Sequence, residues 1–357
     1  MENRIVLSLP HAQGNPRNSE GAFVTLADGR LMFAYSHYTG EDWDDHAPAT
    51  IAARYSDDGG ESWSAEDRIL VLNEGQCNVM SVSLLRLQDG RIALFYLRKN
   101  NLLDCHLYLR TSADEGGIWS EPTSCIPAPG YFVVNNDRVI QLKNGRLVAP
   151  AAYHRAKLET SAMDYAHAFD SRAIALFYLS DDGGASWRES EDWCVLPRRS
   201  HSGLQEPGAV ELNDGRLYGW ARTDIGRQWH MTSRDGGDTW SQPRHSSFHS
   251  PCSPPSLKRI PANGHLLAMW NDISGGLSPY PSSWGRTPLA SAISRDEGKT
   301  WGPSRLLEDD PERGFCYTAI HFCGESVLLA YLCGGRGGGV LQDLCIHKLS
   351  LRELESE

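Results

Sequence analysis

A phrase of eight residues recurs five times along the chain of 357 residues and constrains the fold more than any other feature of the sequence. Its skeleton is Ser-x-Asp-x-Gly-x-(Ser/Thr)-Trp, and Ile118 is the one departure, at the Ser/Thr position. The five copies, called boxes below, occupy residues 56–63, 112–119, 180–187, 233–240 and 294–301. Because they follow one another at intervals of about 50 to 70 residues, they predict a repeat architecture.

The composition of a box is typical of a tight turn. Its aspartate can accept hydrogen bonds from backbone N–H groups of the same turn, and its glycines tolerate a positive φ. The tryptophan at its end supplies a large apolar anchor between neighbouring repeats. We therefore interpret the boxes as scaffold turns and expect no catalytic residue in them.

A second repeat runs out of phase with the boxes and consists of Asp-Gly or Asn-Gly turns between alternating apolar strands. These turns lie at residues 28–29, 89–90, 144–145, 214–215 and 263–264, with a degenerate sixth copy at 323–326. Such dipeptides between strands of period two are the strongest short signal for a β-hairpin. Each repeat is therefore predicted to be a blade of four antiparallel strands. Six turns predict an all-β, six-bladed β-propeller that forms a single domain over residues 1–357.

The sixth repeat lacks a box, and a strand predicted at residues 5–9 is expected to complete its blade and close the ring. Helical signals are limited to one terminal turn within residues 349–357. The Asp-Gly turns and the boxes are expected at opposite ends of the strands. Functional residues are expected to cluster at one face of the propeller, where the inner strands begin.

Composition narrows the classes of partner and the compartment. The formal charge of −11 argues against a nucleic-acid partner, although it does not exclude a small anionic substrate. No apolar run approaches membrane length, and the first residues lack the apolar segment of a signal peptide. The nine cysteines show no CxxC pair and predict reduced thiols in the cytoplasm rather than disulfides or a zinc site. We expect no metal or other cofactor and no membrane contact, and the sequence leaves the oligomeric state open.

The boxes are identified as Asp-boxes, the hallmark repeat of sialidase-like β-propellers, and four further segments resemble the active-site segments of retaining exo-sialidases. Residues 204–222 place a glutamate before a strand and an arginine after the next one, and Arg286 stands just ahead of the strand that leads into the fifth Asp-box. Residues 314–318 resemble the segment that carries the nucleophilic tyrosine, and residues 16–20 occupy the place of the family's Arg-Ile-Pro motif. At the level of blades the resemblance covers nearly the whole chain.

The resemblance implies a role for each matching residue in an exo-glycosidase that removes a terminal sialic acid or related acidic sugar with retention. Tyr317 is implied as the nucleophile and Glu206 as its base. An aspartate of the loop at residues 41–48 is implied as the general acid, and we favour Asp45 over Asp44. The residues implied to hold the substrate carboxylate are Arg17, Arg222 and Arg286.

The chemistry of a sialic acid is consistent with these roles. Guanidinium groups can bind its carboxylate through charge-assisted, bidentate hydrogen bonds that lysine would not reproduce. A tyrosine avoids the repulsion that a carboxylate nucleophile would meet, and sialidases are an exception to the rule of two catalytic carboxylates. With an ordinary pKa near ~10, Tyr317 needs a base, and nearby arginines would favour its phenolate. An acid that acts at neutral pH needs a raised pKa.

Further polar residues near strand ends are secondary candidates. Four that begin inner strands could contact sugar hydroxyls: Asn78, Asn135, Asn136 and Asp137. Four histidines near strand ends are interpreted as polar liners or surface residues: His37, His154, His201 and His230.

The sequence also departs from the sialidase pattern and leaves other functions open. Residues 18–20 replace the expected Ile-Pro, and Glu20, if it points into the pocket, would neutralise Arg17 and disfavour an anionic substrate. One alternative is a glycosidase or polysaccharide lyase that acts on an uronic or deoxy sugar, and a catalytic histidine–tyrosine pair would indicate it. Another is a carbohydrate-binding propeller without catalysis, in which the Arg, Tyr and Glu side chains would be scattered. The fold alone does not choose among them.

Overall fold

The strands of the protein alternate with turns at the positions that the sequence predicts. The computed structural model describes residues 4–157, 169–278 and 281–355. Within them the chain forms β-strands, a 3₁₀ turn at Pro281–Ser283 and one short helix, α1, at Leu351–Glu355. The strands are β1 Ile5–Leu9, β2 Asn18–Thr25, β3 Leu31–Tyr38, β4 Ala49–Ser56, β5 Arg68–Val71, β6 Asn78–Arg86, β7 Ile92–Asn101, β8 Asp104–Ser112, β9 Thr123–Ser124, β10 Tyr131–Val133, β11 Ile140–Gln141, β12 Leu147–Ala156, β13 Phe169–Ser180, β14 Arg188–Glu189, β15 Gln205–Glu211, β16 Leu217–Arg222, β17 Arg227–Ser233, β18 Arg244–His249, β19 Ser256–Arg259, β20 Leu266–Asn271, β21 Leu289–Ser294, β22 Arg305–Glu308, β23 Cys316–Cys323, β24 Ser326–Leu332 and β25 Leu344–Ser350.

These strands form five hydrogen-bonded sheets within the described segments. Four sheets have four antiparallel strands each, in the orders β2-β3-β4-β5, β15-β16-β17-β18, β19-β20-β21-β22 and β1-β25-β24-β23. The predicted four-stranded antiparallel arrangement is therefore confirmed for these four. In the region predicted as the second and third blades, the strands instead form one sheet of nine. The reason is that Tyr131 of β10 pairs in parallel with Cys105 of β8, while β10 also pairs with β12.

The hairpins and the two termini follow the sequence prediction. Thr25 pairs with Leu31 across the first Asp-Gly turn, and Glu211 pairs with Leu217 across the fourth. Strand β1 pairs with β25 and completes the last sheet. Helix α1 is the single terminal turn expected at the end of the chain.

The Asp-Gly turns and the Asp-boxes lie at the same end of the sheets, so the prediction of opposite ends was wrong. Leu31, which follows the first Asp-Gly turn, pairs with Ser56, the first residue of the first Asp-box. Two antiparallel strands separate the turn from the box, and the chain therefore returns to the end from which it left. The first strands of the sheets begin at the other end, which we call the site end.

Each Asp-box closes on its own aspartate, as predicted. In the first box, Asp58 Oδ1 accepts hydrogen bonds from Ser56 Oγ and the Ser62 backbone N–H, and Oδ2 accepts one from Ser62 Oγ. The same pattern recurs at Asp182, Asp235 and Asp296. In the second box Asp114 keeps the backbone bond from Ile118, but isoleucine has no hydroxyl to donate to the second oxygen.

Apolar side chains fill the spaces between adjacent sheets. Trp240, at the end of the fourth Asp-box, stacks on Phe177 of β13 with ring centroids 3.7 Å apart. Trp301, at the end of the fifth Asp-box, packs into the cluster that contains Phe248 and Trp270, with its ring tilted 58° from that of Phe248. Contacts between sheets run from β2 to β6, from β12 to β15, from β15 to β19, from β19 to β23 and from β23 back to β2. The last sheet thus contacts the first.

Two features bear on the environment of the protein. Across the three segments that the structure describes, no helix combines the length and the apolar character needed to cross a bilayer. All nine cysteines are free thiols, and seven of them are buried.

Candidate active site

A β-bulge with a residue at positive φ recurs at the site end of four strands. Strands β2, β6, β15 and β23 each contain a β-bulge close to their first residue. The bulges hold Glu20, Ser81, Glu206 and Tyr317 at positive φ values of 49°, 59°, 46° and 59°. A bulge re-aims a side chain, and all four of these side chains line one cavity. Holding a residue other than glycine in this conformation costs about 1–3 kcal/mol, so backbone strain is concentrated around the cavity.

Tyr317 and Glu206 form a buried pair in this cavity. The Tyr317 hydroxyl donates a hydrogen bond of 3.2 Å to Glu206 Oε1, and Arg222 Nε lies 3.2 Å from Oε2 of the same carboxylate. Burial and the Glu206 charge raise the pKa of Tyr317 well above its ordinary value and outweigh Arg222 and Arg286. From the sequence we expected the nearby arginines to favour the phenolate, but burial dominates and favours the neutral phenol. The phenol is therefore protonated at rest, and Glu206 is positioned to accept its proton.

Arg286 and Arg222 lie together beside the nucleophile candidate. The Arg286 guanidinium carbon is 5.4 Å from the centroid of the Tyr317 ring, and its Nη1 is 3.1 Å from Cys316 Sγ. Arg286 Nη2 and Arg222 Nη1 each donate a long bond of 3.5 Å to the carbonyl oxygen of Cys252. Two of the three predicted arginines thus share one backbone acceptor next to Tyr317.

Arg17 lies on another side of the cavity and is paired with two of the protein's own carboxylates. It is 1 % exposed. Its Nη1 donates a bond of 2.6 Å to Asp45 Oδ1, and its Nη2 bonds Ser19 Oγ and lies 3.5 Å from Glu20 Oε1. Its guanidinium also lies over the Tyr38 ring, 4.6 Å from the centroid. A substrate carboxylate would therefore compete with Asp45 for Arg17.

Two buried donors hold the backbone of Asp45. Lys99 Nζ and Asn78 Nδ2 donate bonds of 2.7 and 2.9 Å to the Asp45 carbonyl oxygen. Desolvation of the Asp45 carboxylate opposes its ionisation, but Arg17 and Lys99 outweigh this effect and hold the pKa of Asp45 well below its ordinary value. The raised pKa expected of a general acid is therefore absent while Asp45 is paired with Arg17.

Asp44, the other aspartate considered for the acid, does not line the cavity. Its carboxylate lies 2.9 Å from His46 Nδ1 and is largely exposed. Asp45 does line the cavity, so the geometry is consistent with the preference for Asp45.

Glu20 is the extra carboxyl group that the sequence flagged, and it lines the cavity. The Ser81 hydroxyl donates to its Oε2. Burial raises the pKa of Glu20 and outweighs the opposing effects of Arg17 and Ser81. A raised pKa favours the neutral acid, which repels an anionic substrate less than a carboxylate would.

A histidine and two aromatic rings form a further wall of the cavity. His154 Nδ1 lies 3.0 Å from the Asp170 carbonyl oxygen, and the imidazole stacks on Phe169 at 4.7 Å and meets Tyr131 edge-on at 6.1 Å. A carbonyl oxygen only accepts, so Nδ1 carries the proton and Nε2 is an acceptor. Burial lowers the pKa of His154 to about 4, and the ring is therefore neutral at pH 7.

The structure brings most of the predicted residues to one place. The cavity lining includes Tyr317, Glu206, Asp45 and Arg222, whereas Arg17 and Arg286 stand behind it. The enclosed volume is about 120 Å³. Sites for small molecules typically have about 300–1,000 Å³, so only part of a sugar ring fits in the enclosed region while Asp45 is paired with Arg17.

The four secondary candidates at strand starts have different roles. Asn135 lines the cavity. Asn78 holds the Asp45 loop, and Asn136 donates to the carbonyl oxygens of Gly21 and Tyr317. Asp137 forms an ion pair of 2.7 Å with Lys258. Three of these side chains therefore contact protein groups in preference to the cavity.

Sequence reasoning missed several residues that line the cavity, among them the polar residues Ser81, Lys99 and Gln205. Ser81 had a detectable signal, because Glu20, Ser81 and Glu206 each lie eight residues before the aspartate of the next Asp-Gly turn. Lys99 lies near the end of β7 and has no local pattern that separates it from a surface lysine.

The chain resembles one known repeat family in sequence. Residues 29–329 match the BNR repeat-like domain. No curated protein sequence matches the chain at a significant level.

Solved structures share the fold at low sequence identity. A protein of unknown function from Dyadobacter fermentans is 17% identical, with a TM-score of 0.73 over 97% of this chain and 99% of that chain. The intramolecular trans-sialidase of Ruminococcus gnavus is 15% identical, with a TM-score of 0.73 over 99% of this chain and 98% of that chain. A leech intramolecular trans-sialidase is 16% identical, with a TM-score of 0.73 over 99% and 71% of the two chains. Similarity at this level concerns the fold and leaves the activity open.

Proposed function

The chain belongs to the family of BNR repeat-like domains, and from this premise we propose that it is an exo-glycosidase resembling retaining sialidases. Its substrate would carry a terminal sialic acid or a related acidic sugar. The proposal includes a six-bladed propeller, in which the sheet of nine strands corresponds to two blades, and a cytoplasmic location.

One observation carries the proposal, namely the buried pair of Tyr317 and Glu206 with Arg222 against the same carboxylate. The pair supplies a nucleophile with its base, and Arg222 supplies a charge for a substrate carboxylate. The Tyr331 hydroxyl is also bonded to a glutamate, but the Tyr317–Glu206 pair differs because it lines a cavity together with Arg222. The convergence of these side chains therefore argues for an enzyme.

In the first step the Tyr317 oxygen attacks the anomeric carbon. The new bond between this oxygen and the anomeric carbon forms as the glycosidic C–O bond breaks. The phenolic proton passes to Glu206, and the leaving oxygen receives a proton from Asp45. The product is a glycosyl–tyrosine with inverted configuration at the anomeric carbon.

In the second step water releases the sugar. Asp45 takes a proton from water as the water oxygen bonds to the anomeric carbon, and the bond from this carbon to the Tyr317 oxygen breaks. The Tyr317 oxygen recovers its proton from Glu206. Two inversions give net retention and return each group to its starting state.

Substrate binding would prepare Asp45 for its role as the acid. A substrate carboxylate bound to Arg17 displaces Asp45 from that guanidinium and adds a negative charge beside it. Loss of an opposite charge and approach of a like charge both raise a carboxyl pKa. The low pKa of Asp45 in the resting site is thus consistent with an acid that becomes protonated as the substrate binds.

The test is release of 4-methylumbelliferone from its α-N-acetylneuraminic acid glycoside. We expect turnover by the wild type and its loss in Tyr317→Phe. The matched control is Tyr331→Phe, which removes the hydroxyl of another buried tyrosine, bonded to Glu308 at 2.5 Å on the neighbouring strand β24 and outside the lining of the cavity. Turnover retained in Tyr317→Phe would reject the nucleophile. No turnover by the wild type would reject the sialoside as substrate and shift the search to a panel of other acidic glycosides.

A second candidate function is a polysaccharide lyase that acts on an uronic acid, and the position of His154 in the same cavity favours it. His154 Nε2 would take the proton next to the sugar carboxylate, a double bond would form, and the C–O bond to the leaving sugar would break. Tyr317 would protonate the leaving oxygen, and no water would be consumed. The neutral imidazole with Nε2 as acceptor has the protonation state that this step requires.

The two functions give different products. A lyase forms an unsaturated sugar that absorbs ultraviolet light, and its activity disappears in His154→Ala. A retaining sialidase yields a saturated sugar from the sialoside, and the same variant keeps its tyrosine-dependent turnover. Absorbance of a polyuronate digest, with wild type beside His154→Ala, distinguishes them.

A further inference from the structure

A second cavity, of about 360 Å³, lies beside the first and is rich in arginine. We call it the arginine cavity. Its charged lining consists of Arg155, Arg172, Arg198, Arg199 and one carboxylate, Asp170. Its volume falls within the range of about 300–1,000 Å³ that is typical of small-molecule sites.

The two cavities share one wall. The Asp170 carbonyl oxygen accepts the His154 Nδ1 proton on the side of the Tyr317 cavity, and the Asp170 carboxylate lies 3.1 Å from Arg155 and 2.8 Å from Arg172. The next residue, Ser171, accepts a bond of 2.8 Å from Gln205 Nε2, and Gln205 lines the Tyr317 cavity. A ligand that extends beyond the Tyr317 cavity over this wall would reach the arginine cavity.

The charges of the arginine cavity are unbalanced. Among the described residues that line the cavity, Asp170 is one carboxylate beside four arginines, which gives this lining an excess of positive charge on a chain whose formal charge is −11. Arg198 and Arg199 are exposed, and no carboxylate in the described part of the chain forms an ion pair with them. Guanidinium groups present paired donors that match the geometry of a carboxylate or a sulfate.

An apolar cleft continues from the arginine cavity, with Ile174 in the walls of both. Trp193 stands at this cleft with 65% of its surface exposed, and its Nε1 donates a bond of 2.7 Å to Glu189. Phe132 and Tyr153 line the same cleft. An exposed aromatic ring fixed in one orientation provides a flat surface against which a sugar ring can pack.

We propose that the arginine cavity is a subsite for an anionic group on the sugar next to the one that is cleaved. The substrate is then an acidic oligosaccharide with negative charges on successive residues, and its neutral parts pack toward Trp193. This inference rests on the proposed glycosidase function for its link to the reaction. The anion site itself does not depend on that function.

The experiment compares wild type with the double variant Arg198→Ala/Arg199→Ala and with Arg234→Ala, an exposed arginine at the Asp-box end. Binding of inorganic sulfate at low ionic strength is measured by titration calorimetry for all three. Hydrolysis is then measured on the α2,8-linked dimer of N-acetylneuraminic acid and on 3′-sialyllactose, in which the next sugar is neutral. We expect the double variant to lose sulfate binding and to show a KM for the dimer raised about tenfold, equivalent to about 1.4 kcal/mol. Its kcat, its kinetics on 3′-sialyllactose and both properties of Arg234→Ala should match the wild type.

Each other outcome decides a separate point. Sulfate that fails to bind the wild type, or binds the double variant equally well, overturns the anion site. Sulfate binding that depends on the two arginines, without any effect on the dimer, overturns the assignment to the substrate and leaves a site for a free anion only. Sulfate binding without turnover of either sialoside shows that the proposed function has failed while the anion site stands.

Discussion

The two ends of the sheets use the same unusual backbone conformation for different purposes. At the Asp-box end, left-handed positions are held mostly by glycines, as at Gly60, Gly184 and Gly237, and each aspartate bonds residues within four positions of itself. At the site end, left-handed positions in the first strands are held by Glu20, Glu206 and other residues with side chains. Their partners are distant, as Tyr317 and Glu206 are 111 residues apart.

The difference shows where the fold tolerates strain. A glycine at a left-handed position relieves steric conflict but carries no chemistry. A glutamate or tyrosine there costs free energy, which the surrounding strands must offset. The box end therefore serves the scaffold, and the site end uses the stability of the scaffold to present reactive groups.

The largest expected effect comes from the site end. Glu206→Gln removes the acceptor for the Tyr317 proton and should lower kcat of the folded variant on a sialoside by about 10²–10⁴-fold. It also removes the charge opposite Arg222, so its Tm should fall as well. The control is Glu308→Gln, which alters a partly buried glutamate bonded to another tyrosine. Steady-state kinetics and thermal melts would contradict the comparison if Glu206→Gln kept full activity or lost its fold.

At the box end the same kind of change should affect stability and spare catalysis. Asp235→Ala removes the acceptor of the Ser233, Thr239 backbone and Thr239 hydroxyl bonds and should lower the free energy of unfolding by about 1–3 kcal/mol. The neighbouring Arg234→Ala serves as the control. Denaturant unfolding measures the loss, and a fall in kcat of the folded variant would show that the two ends are not independent.

Glu20 tests whether a buried charge, in addition to backbone strain, destabilises the site end. A carboxyl with a higher pKa in the folded state binds its proton more tightly there, so stability falls as pH rises from the ordinary value of 4.5 toward the folded pKa. Glu20→Gln lacks this fall and should be more stable than the wild type at pH 7, on the order of 1 kcal/mol. The advantage should shrink below pH 4.5.

Thermal melts across this range provide the measurement for Glu20→Gln. The exposed Glu66→Gln should show no such trend. A stability difference that does not vary with pH would contradict a raised pKa at Glu20.

The smallest effect should come from restoring the one imperfect box. Ile118 is 75% exposed, and in the other four boxes a Ser or Thr hydroxyl donates to the second aspartate oxygen at 2.5–2.6 Å. Ile118→Thr supplies that donor to Asp114 and should stabilise the fold by about 0.5–1 kcal/mol. Ile118→Val, which matches the shape without the hydroxyl, separates the hydrogen bond from the loss of exposed apolar surface. Equal melts for the two variants would contradict the role of the bond.

Local patterns predicted the scaffold well and the site in part. The Asp-Gly hairpins, the box hydrogen bonds and the pairing of β1 with β25 depend on short motifs or on strand alternation. The joining of β8 to β10 could not be predicted, because a pairing as short as that of Tyr131 leaves no periodic signal. The prediction that the Asp-Gly turns and the Asp-boxes lie at opposite ends was wrong, because their relative position follows from the number of strand reversals between them and not from the motifs alone.

For the site, the sequence identified residue types but not their pairings. Asp45 and Arg17 were predicted separately as acid and carboxylate ligand, and the structure places them 2.6 Å apart. Their ion pair lowers the pKa of Asp45, whereas a general acid that acts at neutral pH needs a raised pKa. A shift of this kind depends on distance and burial, and neither can be read from residues 28 positions apart.

The sequence by itself determined the repeat, the four-stranded units and the turns that close them, because these depend on contacts within a few residues. It also supplied the candidates Tyr317 and Glu206 through a resemblance between segments. Only the tertiary structure decided that Ser81, Lys99 and His154 face the same cavity, and that arginines gather beside it. The physical reason is that a cavity is formed where strands from different sheets meet, and electrostatic effects there are set by distance and burial rather than by order along the chain.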